Sequence, residues 1–217
     1  HPRQAQGQYM AAQHKLELDG ALSEGLRQRG LKHNATLFMV LLAGYQALLQ
    51  RYTGQGDIRI GVAIANRHRT ETEGVVGFFV NTQVLRNVVD ARQSLESVLE
   101  RARQSALQAQ ASQDLPFEQL VEALKPERSL GHNPLFQVMY NHQRQQGDAL
   151  GQLPGLSLSG YELGEQAAQF ELTLDTAEGA DGTVSVKFTY ARELFDAGSI
   201  ERLGEHLRKL RLLKSGE

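Results

Sequence analysis

The stretch that decides the fold reads Val75-Val76-Gly77-Phe78-Phe79-Val80-Asn81-Thr82-Gln83-Val84-Leu85-Arg86. Its first half is continuously apolar, and β-branched residues recur along it, which favours pleated backbone. A short apolar run of this kind is typical of a strand that is covered on both faces. The stretch therefore predicts a central strand, and Asn81 sets a polar amide directly behind the apolar half.

Upstream, the sequence predicts two helices and a strand. Residues 36–52 leave almost no polar face, so this helix should be buried, with Thr36 as its N-cap and Gly54 just beyond its end. A weaker helix is expected around residues 20–30. Residues 57–64 alternate between apolar and polar side chains, which predicts a half-buried strand.

Downstream, helices and strands alternate. Apolar residues at helical spacing follow Ser94, and a second helix is expected near Pro116, since proline is tolerated in a first helical turn. Strands are predicted at residues 135–141, 170–174 and 183–190, and a last helix from Asp196 or Ser199. The alternation predicts an α/β fold, with a central mixed sheet flanked by helices.

Composition narrows the class of protein. A chain of 217 residues with 41% hydrophobic content can bury one sizeable core. The formal charge is −2 with no long basic run, so nucleic acid and membrane are not expected partners. The absence of cysteine fits a reducing compartment, and no apolar stretch is long enough to span a bilayer. We expect a cytoplasmic protein whose partners are proteins or small molecules.

No motif predicts catalysis by this chain alone. The seven histidines never fall at the i, i+4 spacing of a helical metal pair, so no metal site is expected. Gly54-Gln55-Gly56 follows a helix instead of opening one, which is the wrong context for a phosphate loop. Ser157 and Ser159 do not fit a nucleophile elbow.

Residues 143–169 form an unusually long polar stretch, with five glycines and six glutamines. A loop of this length is uncommon inside a compact domain and usually has a binding or bridging role.

Three segments, in this order, resemble the condensation domains of nonribosomal peptide synthetases. The first is the opening stretch, which is similar to a Gly-x-Phe-Val-Asn-Thr strand, with Gly77 at its start and Arg86 as the trailing arginine. The second resembles a Gln-Asp-x-Pro-Phe-Glu signature through Gln113, Asp114, Pro116, Phe117 and Glu118. The third resembles an Arg-Asp-x-Ser-Arg-Asn-Pro-Leu element through Arg128, Asn133 and Pro134, and departs from it at Ser129, Gly131 and His132.

The resemblance implies a lobe with a chloramphenicol-acetyltransferase-like fold. Two such lobes form a V-shaped pseudodimer with the active-site tunnel between them, and residues 1–217 would be the C-terminal lobe. Residues 1–15 would be the linker after the first lobe, and residues 143–169 a segment that bridges the lobes. The family's catalytic His-His-x-x-x-Asp-Gly motif belongs to the other lobe and is missing here. We therefore expect an excised piece that is inactive alone.

The resemblance also implies site residues and partners. Asn81 is the main candidate for contact with substrate in the tunnel, together with Phe79 and Gln83; the alternative for Asn81 is a purely structural hydrogen-bonding role. The other motif residues, Arg86 among them, are expected to hold the fold. No cofactor is expected to bind intrinsically, because phosphopantetheine arrives on peptidyl carrier proteins. The first lobe and an adjacent adenylation domain are the further partners.

Two other interpretations remain open. The same lobe would serve as a non-catalytic module that recognises carrier proteins, or it would belong to an epimerization domain of the same superfamily.

Overall fold

A computed structural model describes residues 9–67, 70–126, 133–144, 164 and 166–209. In chain order the elements are β1 (Ala11–Leu18), α1 (Gly20–Lys32), α2 (Leu37–Thr53), β2 (Asp57–Ile64), α3 (Thr70–Glu73), β3 (Asn81–Val88), α4 (Leu95–Ala111), α5 (Phe117–Leu124), β4 (Val138–Arg144), β5 (Leu172–Glu178), β6 (Val184–Ala191) and α6 (Ala197–Lys209).

The strands form one mixed sheet in the order β1-β6-β5-β4-β2-β3. The pairs β2 with β4 and β4 with β5 are parallel, and the others are antiparallel. The predicted α/β class and central mixed sheet are thus confirmed. The parallel strands are central, which is usual because their connections carry helices across a face of the sheet.

Helix α2 is the centre of the hydrophobic core. Its N-cap Thr36 accepts a hydrogen bond from the Met39 backbone N–H, and Gly54 ends the helix at a φ of 69°. That left-handed conformation favours glycine, so both predicted boundaries are confirmed. Leu42 and Tyr45 are fully buried against the sheet and the neighbouring helices. The near absence of a polar face follows from this burial.

The prediction of a central strand over residues 75–86 is wrong. The strand begins only at Asn81 and lies at the edge of the sheet, paired with β2 alone. Ile64, the last residue of β2, is opposite Asn81, so residues 75–80 have no strand to pair with. An apolar run has the composition of a strand. It forms one only where a neighbouring strand is present to bond its backbone N–H and C=O groups.

The other edge strand, β1, was not predicted. Residues 11–15 were expected in a linker, but they pair with β6 from Ala11 opposite Ala191 onward. The strand escapes pattern analysis because its exposed face carries Gln13, Lys15 and Glu17, which resemble a polar linker. The strands predicted from residues 135 and 170 also begin later, at Val138 and Leu172.

Helix α5 lies on the face of the sheet opposite the main core. Phe117, Leu120 and Val121 pack there against a second apolar cluster built on Leu135, Phe136 and Met139. Gly61 in β2 makes room for this cluster, since a Cβ at that position would lie 2.3 Å from the Phe136 ring. The predicted helix near Pro116 is confirmed, with Pro116 as its N-cap residue.

Candidate functional site

A loop of exposed apolar side chains precedes β3. We call residues 75–80 the apolar loop. Val76 is 100% exposed and Phe78 is 90% exposed, while Val75 and Val80 are each about half exposed, at 46% and 49%. Isolated apolar residues on a surface are ordinary, but a contiguous set marks an interaction site. The apolar loop is therefore a candidate interface.

Arg67 fixes the apolar loop in place. Its guanidinium donates hydrogen bonds to the carbonyl oxygens of Thr72, Val75 and Gly77. The same guanidinium lies 4.2 Å from the centre of the Phe79 ring, a cation–π contact. The Arg67 guanidinium therefore satisfies loop carbonyls that have no partner strand, and it also holds the Phe79 ring. The neighbouring Phe78 ring faces solvent.

Asn81 closes the loop with a full set of hydrogen bonds. Its amide nitrogen donates to the carbonyl oxygens of Gln113 and Leu115, at 3.2 and 2.9 Å. Its amide oxygen accepts from the backbone N–H groups of Thr82 and Phe117, at 2.9 and 3.1 Å. All four partners are backbone groups. The arrangement supports the structural alternative for Asn81, and contact of Asn81 with substrate stays a prediction.

Three further residues of the first two motifs, Gln83, Arg86 and Phe117, contact groups of their own chain. The Gln83 amide donates to the Ala109 carbonyl in α4, on the same side of the strand as Asn81. Arg86 pairs with Asp57 at 2.7 Å. The hydrogen bond from Arg59, together with the weaker effect of Arg86, holds the Asp57 pKa below its ordinary value. Phe117 packs edge-on against Phe136. These contacts agree with the structural roles expected for Arg86 and Phe117.

Part of the third motif lies outside the described residues. Arg128 is in that part, as are Ser129, Gly131 and His132. Asn133 is described, and its amide oxygen accepts from the backbone N–H groups of Leu135 and Phe136. This turn carries the chain through Pro134 towards β4. Most of the predicted bridging segment, residues 145–163, is likewise outside the described residues.

Among the residues that the structure describes, none covers the sheet face opposite the main core over β1, β4, β5 and β6, which we call the open sheet face. It borders a cavity of about 540 Å³ that contains Asn141, Asp175 and Lys187. The Asn141 amide nitrogen donates to Asp175 at 3.0 Å, and the Lys187 ammonium lies 3.3 Å from the same carboxylate. The Asn141 amide oxygen is buried and has no hydrogen-bond partner among the described residues. A buried carbonyl without a donor is costly, so a further donor is expected beside it, such as a water molecule or a bound group.

A second polar cluster lies on the core side, at the end of β4. His142 Nδ1 lies 2.8 Å from the Thr176 hydroxyl, and its Nε2 lies 3.4 Å from Glu178, which also pairs with Arg27. Burial lowers the His142 pKa, and Glu178 partly opposes this shift. Sequence reasoning missed both clusters, because it predicted residues 135–141 only as a strand and did not pair β4 with β5.

The comparisons with known proteins agree with this architecture. A family model described as "Condensation domain" matches residues 1–213. One of the linear gramicidin synthase proteins of Brevibacillus parabrevis is 44% identical over 211 residues, which is 96% of this chain and 4% of that protein. A four-domain nonribosomal peptide synthetase, holo-AB3403, aligns with a TM-score of 0.86 at 25% identity, over 95% of this chain and 17% of that one.

The X-domain from teicoplanin biosynthesis has the same fold, with a TM-score of 0.88 at 24% identity, over 97% of this chain and 48% of that one. Together with the six-stranded mixed sheet, these matches define a condensation-domain fold. The chain belongs to the condensation domain family. It spans only a few per cent of the length of its curated relatives. Within the described residues, no helix has the length and apolarity to cross a membrane.

Proposed function

We propose that this chain is the C-terminal lobe of a condensation domain and that it works only when paired with an N-terminal lobe. The lobe supplies one wall of the tunnel in which a donor thioester meets an acceptor amine. The His-His-x-x-x-Asp-Gly motif comes from the other lobe, since this sequence has no adjacent histidine pair. In this proposal the chain positions substrates, and proton transfer at the amine belongs to the partner.

The observation that carries the proposal is the apolar loop. A solvent-exposed Phe78 beside a fully exposed Val76 is unfavourable unless a second surface covers them. Arg67 orders this loop in advance, so little conformational entropy remains to be lost on docking. A preformed apolar loop fits a permanent interface with another lobe of the same domain.

The open sheet face is the proposed substrate wall. Its cavity has a buried, unpartnered carbonyl at Asn141 and a charged pair at Asp175 and Lys187. An amide N–H of a pantetheine arm or an acceptor amine would supply the donor that the Asn141 oxygen lacks. Phosphopantetheine would therefore reach this wall attached to peptidyl carrier proteins, and the lobe itself would hold no cofactor. An adenylation domain is the further expected neighbour.

The test is reconstitution from two polypeptides. The chain is mixed with the N-terminal lobe of the same condensation domain, and peptide product is measured with donor-loaded and acceptor-loaded carrier proteins. We expect product from the pair and none from this chain alone. Phe78→Asp should weaken association of the lobes by roughly 10-fold or more, since it places a charge in an apolar contact. Leu31→Asp, at a residue that is also exposed but lies on α1, is the matched control.

The outcomes separate the two candidate functions. Product from this chain alone would contradict the proposal. Lobes that associate and bind carrier protein but give no product, with the histidine motif present, would favour a non-catalytic recognition module. One observation favours the recognition module: a solved structure shows the X-domain from teicoplanin biosynthesis in complex with OxyB.

A further inference from the structure

The two edges of the sheet differ in how they are protected. Edge strand β1 carries Gln13, Lys15 and Glu17 on its exposed face, and charged side chains on an edge strand discourage pairing with another strand. Edge strand β3 carries Thr82, Val84, Arg86 and Val88 on one face, where Arg86 is the single charged side chain of the four, and it has no proline. Within the described part of the chain, no strand pairs with this edge of β3.

The pairing register shows which backbone groups of β3 point outward. The Val89 N–H donates to the Gly56 carbonyl, so opposite residues bond at this position. In an antiparallel pair such bonds recur at every second residue, which turns Leu85 and Asn87 towards β2. The alternate residues, Val84 and Arg86, therefore direct their N–H and C=O groups away from the sheet.

Side chains of this chain bond the outward backbone groups at both ends of β3. The outward groups between these ends have no such bond among the described residues. At one end, the Thr82 N–H is bonded to the Asn81 amide oxygen at 2.9 Å. At the other end, the Val88 carbonyl accepts from Arg101 at 2.9 Å. Between these ends, a groove of about 480 Å³ runs along β3. Its walls are Ser105, Gln108 and Ala109 of α4 on one side and Leu115 and Leu120 on the other.

The chemistry of the groove selects its occupant. The walls are uncharged, and Val88 and Leu115 are each close to half exposed, at 48% and 46%. The charges lie at the Val88 end. There one carboxylate, Asp57, is shared by Arg59 and Arg86, and Arg101 adds a further cation. That end is therefore basic by two charges, and an acidic group on a partner would complement it.

We propose that the outer edge of β3 binds an extended peptide segment of a partner protein, which adds to the sheet as a seventh strand. The segment has uncharged, β-branched or small residues at alternate positions and an acidic residue at the end that lies beside Arg86 and Arg101. Main-chain hydrogen bonds to Val84 and Arg86 provide the affinity, and the groove walls select the side chains. This surface is separate from the interlobe proposal and does not depend on it.

The probe is a pair of capped hexapeptides of alternating valine and threonine, with glutamate at the first position in one and at the last in the other. They are titrated into the full 217-residue chain, and amide exchange is followed by NMR. We expect one peptide to slow exchange of the Val84 and Arg86 amides by at least about 10-fold. The Leu85 and Asn87 amides, already bonded to β2, should change little.

Two variants make the test specific. Val84→Pro removes one outward N–H without touching a bond to β2, and proline is tolerated on such an edge. Val84→Thr keeps the N–H and the β-branched shape and is its matched control. We expect peptide binding to be lost in the first and kept in the second.

A peptide N-methylated at alternate residues should also fail to bind, and this arm needs no change to the protein. Equal binding by Val84→Pro, equal binding by the N-methylated peptide, or no slowing of the Val84 and Arg86 amides at millimolar peptide would each overturn the proposal.

Discussion

Helix α2 and the apolar loop are both strongly apolar in sequence, yet one is buried and the other faces solvent. Residues 37–42 lie in the core, whereas Val76 and Phe78 are almost fully exposed. The helix has an N-cap and a terminal glycine, and its backbone N–H and C=O groups bond to each other. It can therefore be buried without leaving backbone groups unsatisfied. In the loop, the carbonyls of Val75 and Gly77 accept instead from the side chain of Arg67, which lies outside the loop. Apolar composition therefore marks a surface that must be covered, but it does not identify what covers it.

The largest expected effect is on the helix side of this comparison. Leu42→Ala removes a fully buried side chain from α2 and leaves a cavity in the core. We expect a loss of about 3 kcal/mol in the free energy of unfolding, measured by chemical denaturation. A loss below about 1 kcal/mol would mean that α2 is not packed as described.

At the boundary of the apolar loop, Asn81→Ala removes four hydrogen bonds to backbone groups. Some of the released groups can reach water, so we expect a loss of about 2 kcal/mol in stability. Melting temperature and condensation turnover should be measured together in the complete two-lobe domain. Turnover that falls while the melting temperature holds would restore Asn81 as a substrate contact.

Asn141→Ala is the counterpart on the open sheet face. For this variant we expect turnover to fall while the melting temperature stays nearly unchanged.

Within α2, Tyr45 offers a change of opposite sign. Its hydroxyl is fully buried and has no hydrogen-bond partner among the described residues. We expect Tyr45→Phe to raise stability by about 1 kcal/mol, because it removes an unsatisfied polar atom. Tyr140→Phe is the matched control, since the Tyr140 hydroxyl contacts the Thr176 hydroxyl at 3.2 Å and its loss should lower stability. Destabilisation by both variants would contradict this account.

A smaller effect should appear as a pH dependence. Burial holds the His142 pKa below its ordinary value of 6.5, so the unfolded chain binds this proton more readily than the folded one. Acidification from about pH 7 to about pH 5 should therefore lower the free energy of unfolding. His142→Gln, which retains a polar group beside Thr176, should show a shallower loss over the same range. An unchanged slope would mean that His142 does not contribute to it.

The smallest expected effect is on the loop side. Phe78→Asp should change the stability of this chain alone by less than about 0.5 kcal/mol, because Phe78 is 90% exposed and makes little contact with the rest of the chain. The same substitution should weaken association with the other lobe. A large loss of stability in the isolated chain would show that the loop packs on its own lobe and would remove the main support for the interlobe proposal.

Local signals predicted the helices well and the position of the strands less well. Thr36, Gly54 and Ser94 mark helix ends through bonds made within a few residues, so their roles are readable from sequence. The place of β3 at an edge depends on which strand lies opposite Asn81, and no local pattern contains that information.

The candidate site shows the same limit. Asn81 could be singled out because an amide behind an apolar run needs partners. Its actual partners, the Gln113 and Leu115 carbonyls, are brought close only by the fold. Asn141 and Asp175 meet because β4 and β5 run parallel, after a connection of almost thirty residues. Pattern analysis along the chain cannot anticipate such a pair.

The pairing of β1 with β6 has a consequence for how this protein is made. Ala11 is opposite Ala191, so the first of the described strands bonds to the last. During synthesis on a ribosome, β1 leaves the exit tunnel well before β6 and stays unpaired until β6 has also left it. Closing so long a loop adds entropic cost and delays folding. We expect the nascent chain to stay open to proteases until β6 emerges, and a synthesis stall before that point to yield no folded intermediate with a complete sheet.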